Sequence, residues 1–294
     1  LRIADVYAAV DAIVAEDIAS ITQVCSFLEV NRTAFHAWRV AEPTVFQEQD
    51  AQLAPLVRVI FRKHRRRYGA RRIARELQEG GHHCSIKKVS KVMKSLGLRA
   101  IQPKSFVPKT TDSNHRLGYS PNLLLNAADP TGIDQVWVGD ITYIPFDGGT
   151  FCYLATLMDL FSRRIVGWHL HEDMTEHLVL SALRSAIKER QPPKGIIHHT
   201  DRGGQYAGND YRAVLRRTGI GQSMSRPDNC YDNAFMESFF GTFKNELEMT
   251  EYQSIQVALK EVAEYIRYYN FERRHSALDY RSPAQFEQLI HSPK

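Results

Sequence analysis

Three acids in this 294-residue chain stand in surroundings that ordinary surface carboxylates lack. Asp140 lies inside the apolar run VWVGDITYI, Asp201 follows GIIHHT in HHTDRGGQY, and Glu237 lies in DNAFMESFFGTFKNE, with 35 residues between the last two. A carboxylate amid apolar residues is costly unless something pairs with it. A divalent cation is the simplest partner, and an oxygen-only ligand set suits hard magnesium or manganese. The chemistry such a set serves is phosphodiester cleavage and transfer. Three carboxylates bring three negative charges and two magnesium ions bring four positive ones, so the loaded site can accept a phosphate, with one ion at the attacking oxygen and the other at the leaving oxygen.

Strand alternation over QVWVGDITYIPF puts Val136, Val138, Asp140, Thr142 and Ile144 on one face and Trp137, Gly139, Ile141 and Tyr143 on the other. Asp201 falls where a short β-rich run opens into Arg202, Gly203 and Gly204, the kind of strand end at which α/β folds place their chemistry. Glu237 reads as helical, because Met236, Phe239, Phe240, Phe243 and Leu247 recur with helical spacing as an apolar stripe. Glu237, Gly241 and Lys244 form a second stripe about a quarter turn away. Gly241 leaves room for a backbone beside the acid, and Lys244 would meet a phosphate as a point charge. Asp159, in LMDLFSRR, also ends an apolar run and is the main rival, although it equally suits a turn before Ser162. Asp147, Asp173, Asp228 and Asp232 read as turn or cap residues.

The strings WVGDITYI, FCYLATLMDLFSRRIVGW, HHTDRGGQY, SMSRPDNCYDNAFMESFFGTFKNE and YYNFERRHSALDYRSPAQF resemble the successive signature blocks of DDE-type insertion-sequence transposases. More narrowly, they are similar to the second-reading-frame product of the insertion-sequence-three family, within the retroviral-integrase superfamily. The resemblance runs over most of residues 120 to 290 and includes the Lys seven positions after the Glu. It implies an α/β fold, a ribonuclease H-like mixed five-stranded sheet with helices on both faces, preceded by small all-α helix-turn-helix domains. Asp140 would lie on the first strand, Asp201 just past the fourth and Glu237 on a late helix. The same resemblance implies that these three are the catalytic ligands of two Mg²⁺ ions, with Mn²⁺ substituting, and that Lys244 contacts element-end DNA. Such proteins bind terminal inverted repeats, cut one strand at an element end and use the freed 3′ hydroxyl to attack another phosphodiester. Double-stranded DNA, as element end and as target, is the implied partner, held by at least a dimer. His198 departs from the pattern, where an apolar residue is expected. With His199 and Asp201 it suggests zinc, yet adjacent histidines point to opposite faces of a strand, so His198 reads as structural and His199 as a helper near the site.

Net charge +5 and pI 9.0 are modest, but the distribution is not. Nine Lys or Arg and no acid stand between Arg58 and Arg75, in a run that includes RKHRRRYGARR. Arg65, Arg66, Arg67, Arg71 and Arg72 are therefore expected on phosphates. A helix ended by Gly80 and Gly81 leads to one capped by Ser85, in which Ile86, Val89, Met93 and Leu96 share a face and Lys87, Lys91 and Lys94 share the opposite one. Upstream, a helix through Val24, Phe27 and Leu28, a break near Asn31 and a helix through Phe35 and Trp38 outline a first helix-turn-helix. The expected organisation is an N-terminal helix-turn-helix (1–48), a second, basic one (49–100), a Pro-containing linker (101–130), the catalytic core (131–250) and a helical tail (251–294). Within the core, strands are expected at about 135–146, 151–158, 162–170 and 195–200, with helices at 175–190 and near 207–218. Arg202 beside Asp201, and Arg273, Arg274 and His275 in the tail, are expected to grip DNA.

No apolar run approaches a membrane span and no leader is visible, which points to bacterial cytoplasm and the nucleoid. Cys25, Cys84, Cys152 and Cys230 lie far apart without a CxxC pair, which argues against a disulfide framework or a cysteine zinc site. The chain begins at Leu1 without a methionine, as a fragment or the downstream part of a longer fusion would. Three other readings stay open. A tyrosine recombinase would use Arg273, His275 and Tyr280 of RRHSALDY, but the HxxR spacing is missing and the three acids go unexplained. A regulator with a dead core would need only the helix-turn-helices, and a nuclease would hydrolyse without joining.

Overall fold

The computed structural model describes residues 3–42, 44–102, 118–125, 127–226, 234–248 and 251–291. Three short helices open the chain, α1 (Ile3–Ala15), α2 (Ile21–Phe27) and α3 (Arg32–Val40). Ser20 and Asn31 cap α2 and α3 by accepting from the amides of Gln23 and Ala34. Tyr7, Val10, Val24, Cys25 and Phe35 form a small core of their own. Phe27, expected on the buried face, is 86% exposed. Val24 and Cys25 set that face, and Phe27 stands roughly a third of a turn off it.

The second helical unit is α4 (Val45–Lys63), α5 (Ala70–Glu79) and α6 (Ile86–Ser95), with Thr44 capping α4 and Ser85 capping α6. Val57, Phe61, Ile73, Leu77, Val89, Val92 and Met93 are buried between them. Val92 takes the place expected for Ile86, which is 46% exposed at the first position of α6.

The rest of the chain builds one sheet. Strands β1 (Val136–Phe146), β2 (Thr150–Asp159) and β3 (Ile165–His171) form an antiparallel meander. Helix α7 (Glu176–Arg190) crosses to β4 (Ile197–Thr200), and α8 (Asn209–Thr218) crosses to β5 (Gly221–Met224), both strands parallel to β1. Parallel neighbours need such crossovers, whereas the β1–β2 connection is made by Gly148 and Gly149, both at positive φ. The order is β3-β2-β1-β4-β5, the mixed five-stranded sheet expected. The sequence reading placed only four of its strands, because Gly221–Met224 is short and half polar. Helices α7 and α8 cover Trp137, Ala155, Leu157 and Val166 on one face. On the other, Val138, Ile144, Leu154 and Met158 meet α9 (Ala234–Glu246) and α10 (Ile255–Phe271) in a core that continues into α4, α5 and α6. The alternation read along β1 is thus the alternation of the two cores.

Helix α11 (Pro283–His291) is held by Glu287, which accepts from Ser162, Arg164 and Arg190, each at 2.7 to 2.8 Å. Of the expected linker, residues 103–117 lie outside the described residues, while Pro121 and Leu123 lie along β5, bonded to Met224 and Ser223. Among the described residues no helix is long and apolar enough to cross a membrane.

The packing of α7 on the sheet depends on Gly167, where a Cβ would stand 2.5 Å from the Ala182 carbonyl oxygen and 2.6 Å from the Ala186 Cβ. Backbone on one side and a buried methyl on the other leave nothing to yield. Gly167→Ala is expected to lower stability by about 2 kcal/mol, read from the urea midpoint.

Candidate active site

Strands β1 and β4 run in register with Val138 opposite His199, so Asp140, two residues on, is level with Asp201 just past the end of β4. Asp140 lies on the face of the sheet that carries α9. Asp140 is half-buried and its Oδ1 accepts the Ile141 amide at 2.8 Å. Asp201 uses Oδ1 to accept the Gly203 amide at 2.9 Å, which turns the chain away from the strand. Burial pushes the Asp140 carboxyl well above the usual aspartate range, and the charges of Asp201 and Glu237 push it further, against the Ile141 amide and the Lys244 ammonium. The charges of Asp201 and Glu237 thus both reach Asp140. No group of three His, Cys, Asp or Glu side chains among the described residues already stands at joint ligating range.

Helix α9 delivers the third acid in the manner its sequence pattern requires. Met236, Phe239, Phe240 and Phe243 are buried, while Glu237 is exposed. A Cβ on Gly241 would meet nothing within 4 Å, so the helix surface one turn beyond the acid is open. Lys244 sets its ammonium 3.9 Å from the centre of the Tyr143 ring. Burial lowers the Lys244 pKa to about 8, with Asp140 pulling the other way.

Residues 130–230 and 218–283 match two family models described as "Integrase core domain", and residues 48–106 match an "HTH-like domain". The chain is 40% identical over 270 residues to the "Insertion element IS600 uncharacterized 31 kDa protein" of Shigella sonnei, covering 91% of this chain and 98% of that one. It is 38% identical over 272 residues to "Transposase InsF for insertion sequence IS3A" of Escherichia coli K12, covering 91% and 94%. The chain belongs to the IS3 family of transposases. Among solved structures, the catalytic core domain of HTLV-2 integrase in complex with magnesium is 16% identical, covers 53% of this chain and 98% of its own, and has a TM-score of 0.43.

Within this family member, Asp159 belongs to the fold and not to the acid cluster. It is buried, its Oδ1 accepts the amides of Phe161 and Ser162 at 3.1 and 2.7 Å, and its Oδ2 accepts the Asp134 amide at 2.7 Å. His198 and His199 do point to opposite faces. His198 is buried against α8, where burial lowers its pKa to about 4. The neutral ring donates from Nδ1 to the Trp137 carbonyl and accepts the Tyr211 hydroxyl at Nε2. Gly139 exists for that ring, because a Cβ there would stand 2.7 Å from His198 Cε1. His199, on the face of Asp140, bonds the Ser223 hydroxyl at 2.8 Å.

The basic residues divide into two groups. Arg65, Arg66, Arg71, Lys87, Lys91 and Lys94 are exposed, with Lys91 2.9 Å from Asp50. Arg202 lies beside the site, donating to the Ser225 carbonyl under the ring of Tyr119. Arg67, Arg72, Arg273, Arg274 and His275, expected on DNA, instead brace the interior. Arg67 lies against the rings of Tyr265 and Tyr268, and Arg72 and Arg273 both reach Glu246, at 3.5 and 2.7 Å. Arg274 forks onto Glu79 at 2.5 and 2.6 Å. His275 packs edge-on against Tyr269, and burial together with Arg273, Arg72 and Arg163 lowers its pKa to about 2. Arg273 and His275 of the set suggested by RRHSALDY are thus committed to packing. The sequence reading missed Glu246 as the acceptor of this network, since its arginines lie far from it along the chain.

Asp140, whose charge is unfavourable in the metal-free fold, and Asp159, whose carboxylate oxygens hold three amides, should respond oppositely to substitution. Asp140 has a raised pKa in the folded state, so above the ordinary aspartate range it weakens the metal-free fold. In EDTA at pH 7, Asp140→Asn is expected to raise the urea midpoint, and the gain should vanish as pH falls below about 4, where wild type is protonated in both states. Asp159→Ala strands three amides and is expected to cost about 2 to 4 kcal/mol at either pH.

Proposed function

We propose that this chain recognises the terminal inverted repeats of its insertion sequence and carries out metal-dependent strand cleavage and strand transfer at Asp140, Asp201 and Glu237. The observation that carries this reading is the shared field at Asp140, whose carboxyl is driven towards protonation by burial and by two other acids. An oxygen-only donor set with surplus negative charge fits hard divalent cations, Mg²⁺ or Mn²⁺. When bound, two such ions would supply activation of the attacking oxygen and stabilisation of the leaving oxygen.

The protein's own residues do the positioning. Asp140 on β1 is level with Asp201 just past the end of the neighbouring β4, and Glu237 projects from a helix fixed by its buried phenylalanines. The open surface at Gly241 admits a DNA backbone beside the acid, and Lys244 meets a phosphate there. Helix α6 presents Lys87 and Lys94 outward from a buried apolar face, the layout of a groove-facing helix, with Arg65, Arg66 and Arg71 as further exposed cations of the same unit. Two ends must be processed together, so the active assembly holds at least two copies.

Glu237→Gln is expected to lower cleavage and strand transfer of a labelled element end by at least about 10³-fold while leaving DNA affinity unchanged. Loss of binding in this variant would remove the assigned role. Wild type should be silent in EDTA and leave no protein joined to DNA, the opposite of a tyrosine recombinase, and joined products separate it from a hydrolytic nuclease. Lys87→Ala with Lys94→Ala is expected to weaken end binding and reduce the slope of log affinity against log salt by roughly 1 to 2, measured by fluorescence anisotropy.

A further inference from the structure

Resting on the reading above, we propose that Arg163 is a positioning residue for Glu237 and acts through the ring of Phe235. Arg163 sits in the β2–β3 turn with φ +62°, a left-handed conformation that arginine rarely adopts. Its guanidinium carbon lies 3.9 Å from the centre of the Phe235 ring. Phe235 is in the first turn of α9, two residues ahead of Glu237 and about 200° around the helix from it. The ring is 43% exposed, unlike those of Phe239, Phe240 and Phe243, so the apolar core alone does not fix it.

Two features of this contact run against stability. The backbone is strained, and Nη1 of Arg163 is buried with no hydrogen-bond partner among the described residues. Burial lowers the Arg163 pKa, with Tyr269, Asp159 and Asp129 opposing. Strain and an unsatisfied donor together persist where the surroundings over-determine them, and they concentrate at functional sites. The turn itself is rigid, because Asp159 accepts two of its amides and its own carbonyl accepts the Arg163 N–H. A planar cation on a fixed turn, laid over an aromatic ring, therefore pins one side of the first turn of α9. Glu237 projects from the other side of that turn, so the clamp sets where its carboxylate stands relative to Asp140 and Asp201.

Arg163→Gly is the informative variant, since glycine adopts positive φ without strain and leaves the turn intact. Its urea midpoint is expected to match or exceed that of wild type. Amide exchange in residues 235–238 of the metal-free protein should accelerate, and Phe235→Leu should reproduce the effect without adding to it in the double variant. In strand transfer, Arg163→Gly should lower turnover by about tenfold or more and raise the half-saturating Mg²⁺ concentration, with KM for DNA unchanged. Arg163→Lys and Phe235→Tyr should restore most of the rate. Unchanged exchange in α9 would overturn the proposal, as would a loss of DNA affinity with a shallower salt slope, which would make Arg163 a phosphate contact. If wild type showed no Mg²⁺-dependent transfer, the parent reading would fail instead, while the exchange result would still decide the clamp.

Discussion

The central constraint is electrostatic. Asp140 occupies a strand whose other residues on that face are apolar save Thr142, and the charges of two further acids reach it. Nothing about folding requires this arrangement. An asparagine at that position would leave β1, its register and its core untouched, and the apolar layer around it would be easier to form. The cost is confined to one spot, and every neighbouring element is built to hold that spot still. The parallel register of β1 with β4 fixes the height of Asp201, Gly139 yields its side chain to the His198 ring beneath β4, and four buried side chains fix α9 about its axis.

The second constraint is how the helical unit and the tail attach to that core. Glu246, at the C-terminal end of α9, accepts two bonds from the Arg273 fork, the Tyr265 hydroxyl and a longer contact from Arg72, while its carbonyl accepts Arg67. A second acid, Glu76 on α5, would be raised by burial, but His64 and Lys63 outweigh this and hold its carboxyl at about 2. His64 in turn stacks on Tyr68 at 3.7 Å, and the Tyr68 hydroxyl donates to the Glu272 carbonyl. Helix α9 therefore carries the candidate catalytic acid near one end and the junction of three structural units at the other. A cluster of paired, hydrogen-bonded charges suits such a junction, because it has one satisfactory arrangement where an apolar interface has many.

What could be read from the sequence follows from how far each interaction reaches along the chain. The alternation in β1, the stripe of α9 and the Ser85 cap are local patterns, and all are present in the structure. Asp159 could be told from Asp140 only through amides that lie within a few residues of it or at Asp134, and sequence alone left both possibilities standing. The basic run misled in part because exposure alternates within it. Arg65, Arg66 and Arg71 face out while Arg67 and Arg72 face in, and Glu246, which both inward arginines reach, lies more than 170 residues away. Strand β5 carries little apolar character because Ser223 serves His199 and the linker amide of Leu123.

Charge arithmetic then links the site to its proposed substrate. Three ionised carboxylates and the Lys244 ammonium sum to minus two, and burial weakens that cation, whose pKa falls to about 8. A DNA phosphate brought to such a site meets repulsion from the acids that would process it. One divalent ion would cancel the excess and two would invert it, so on the proposed reading DNA acceptance and chemical competence turn on the same event. Lys244, resting on the Tyr143 ring within the field of Asp140, is then better placed to orient a phosphate than to neutralise the acids. On the proposed reading, exposed lysines on a separate helical unit would attract DNA, while the backbone would enter the site only once its acids are compensated, so end binding and chemistry would be separately controlled.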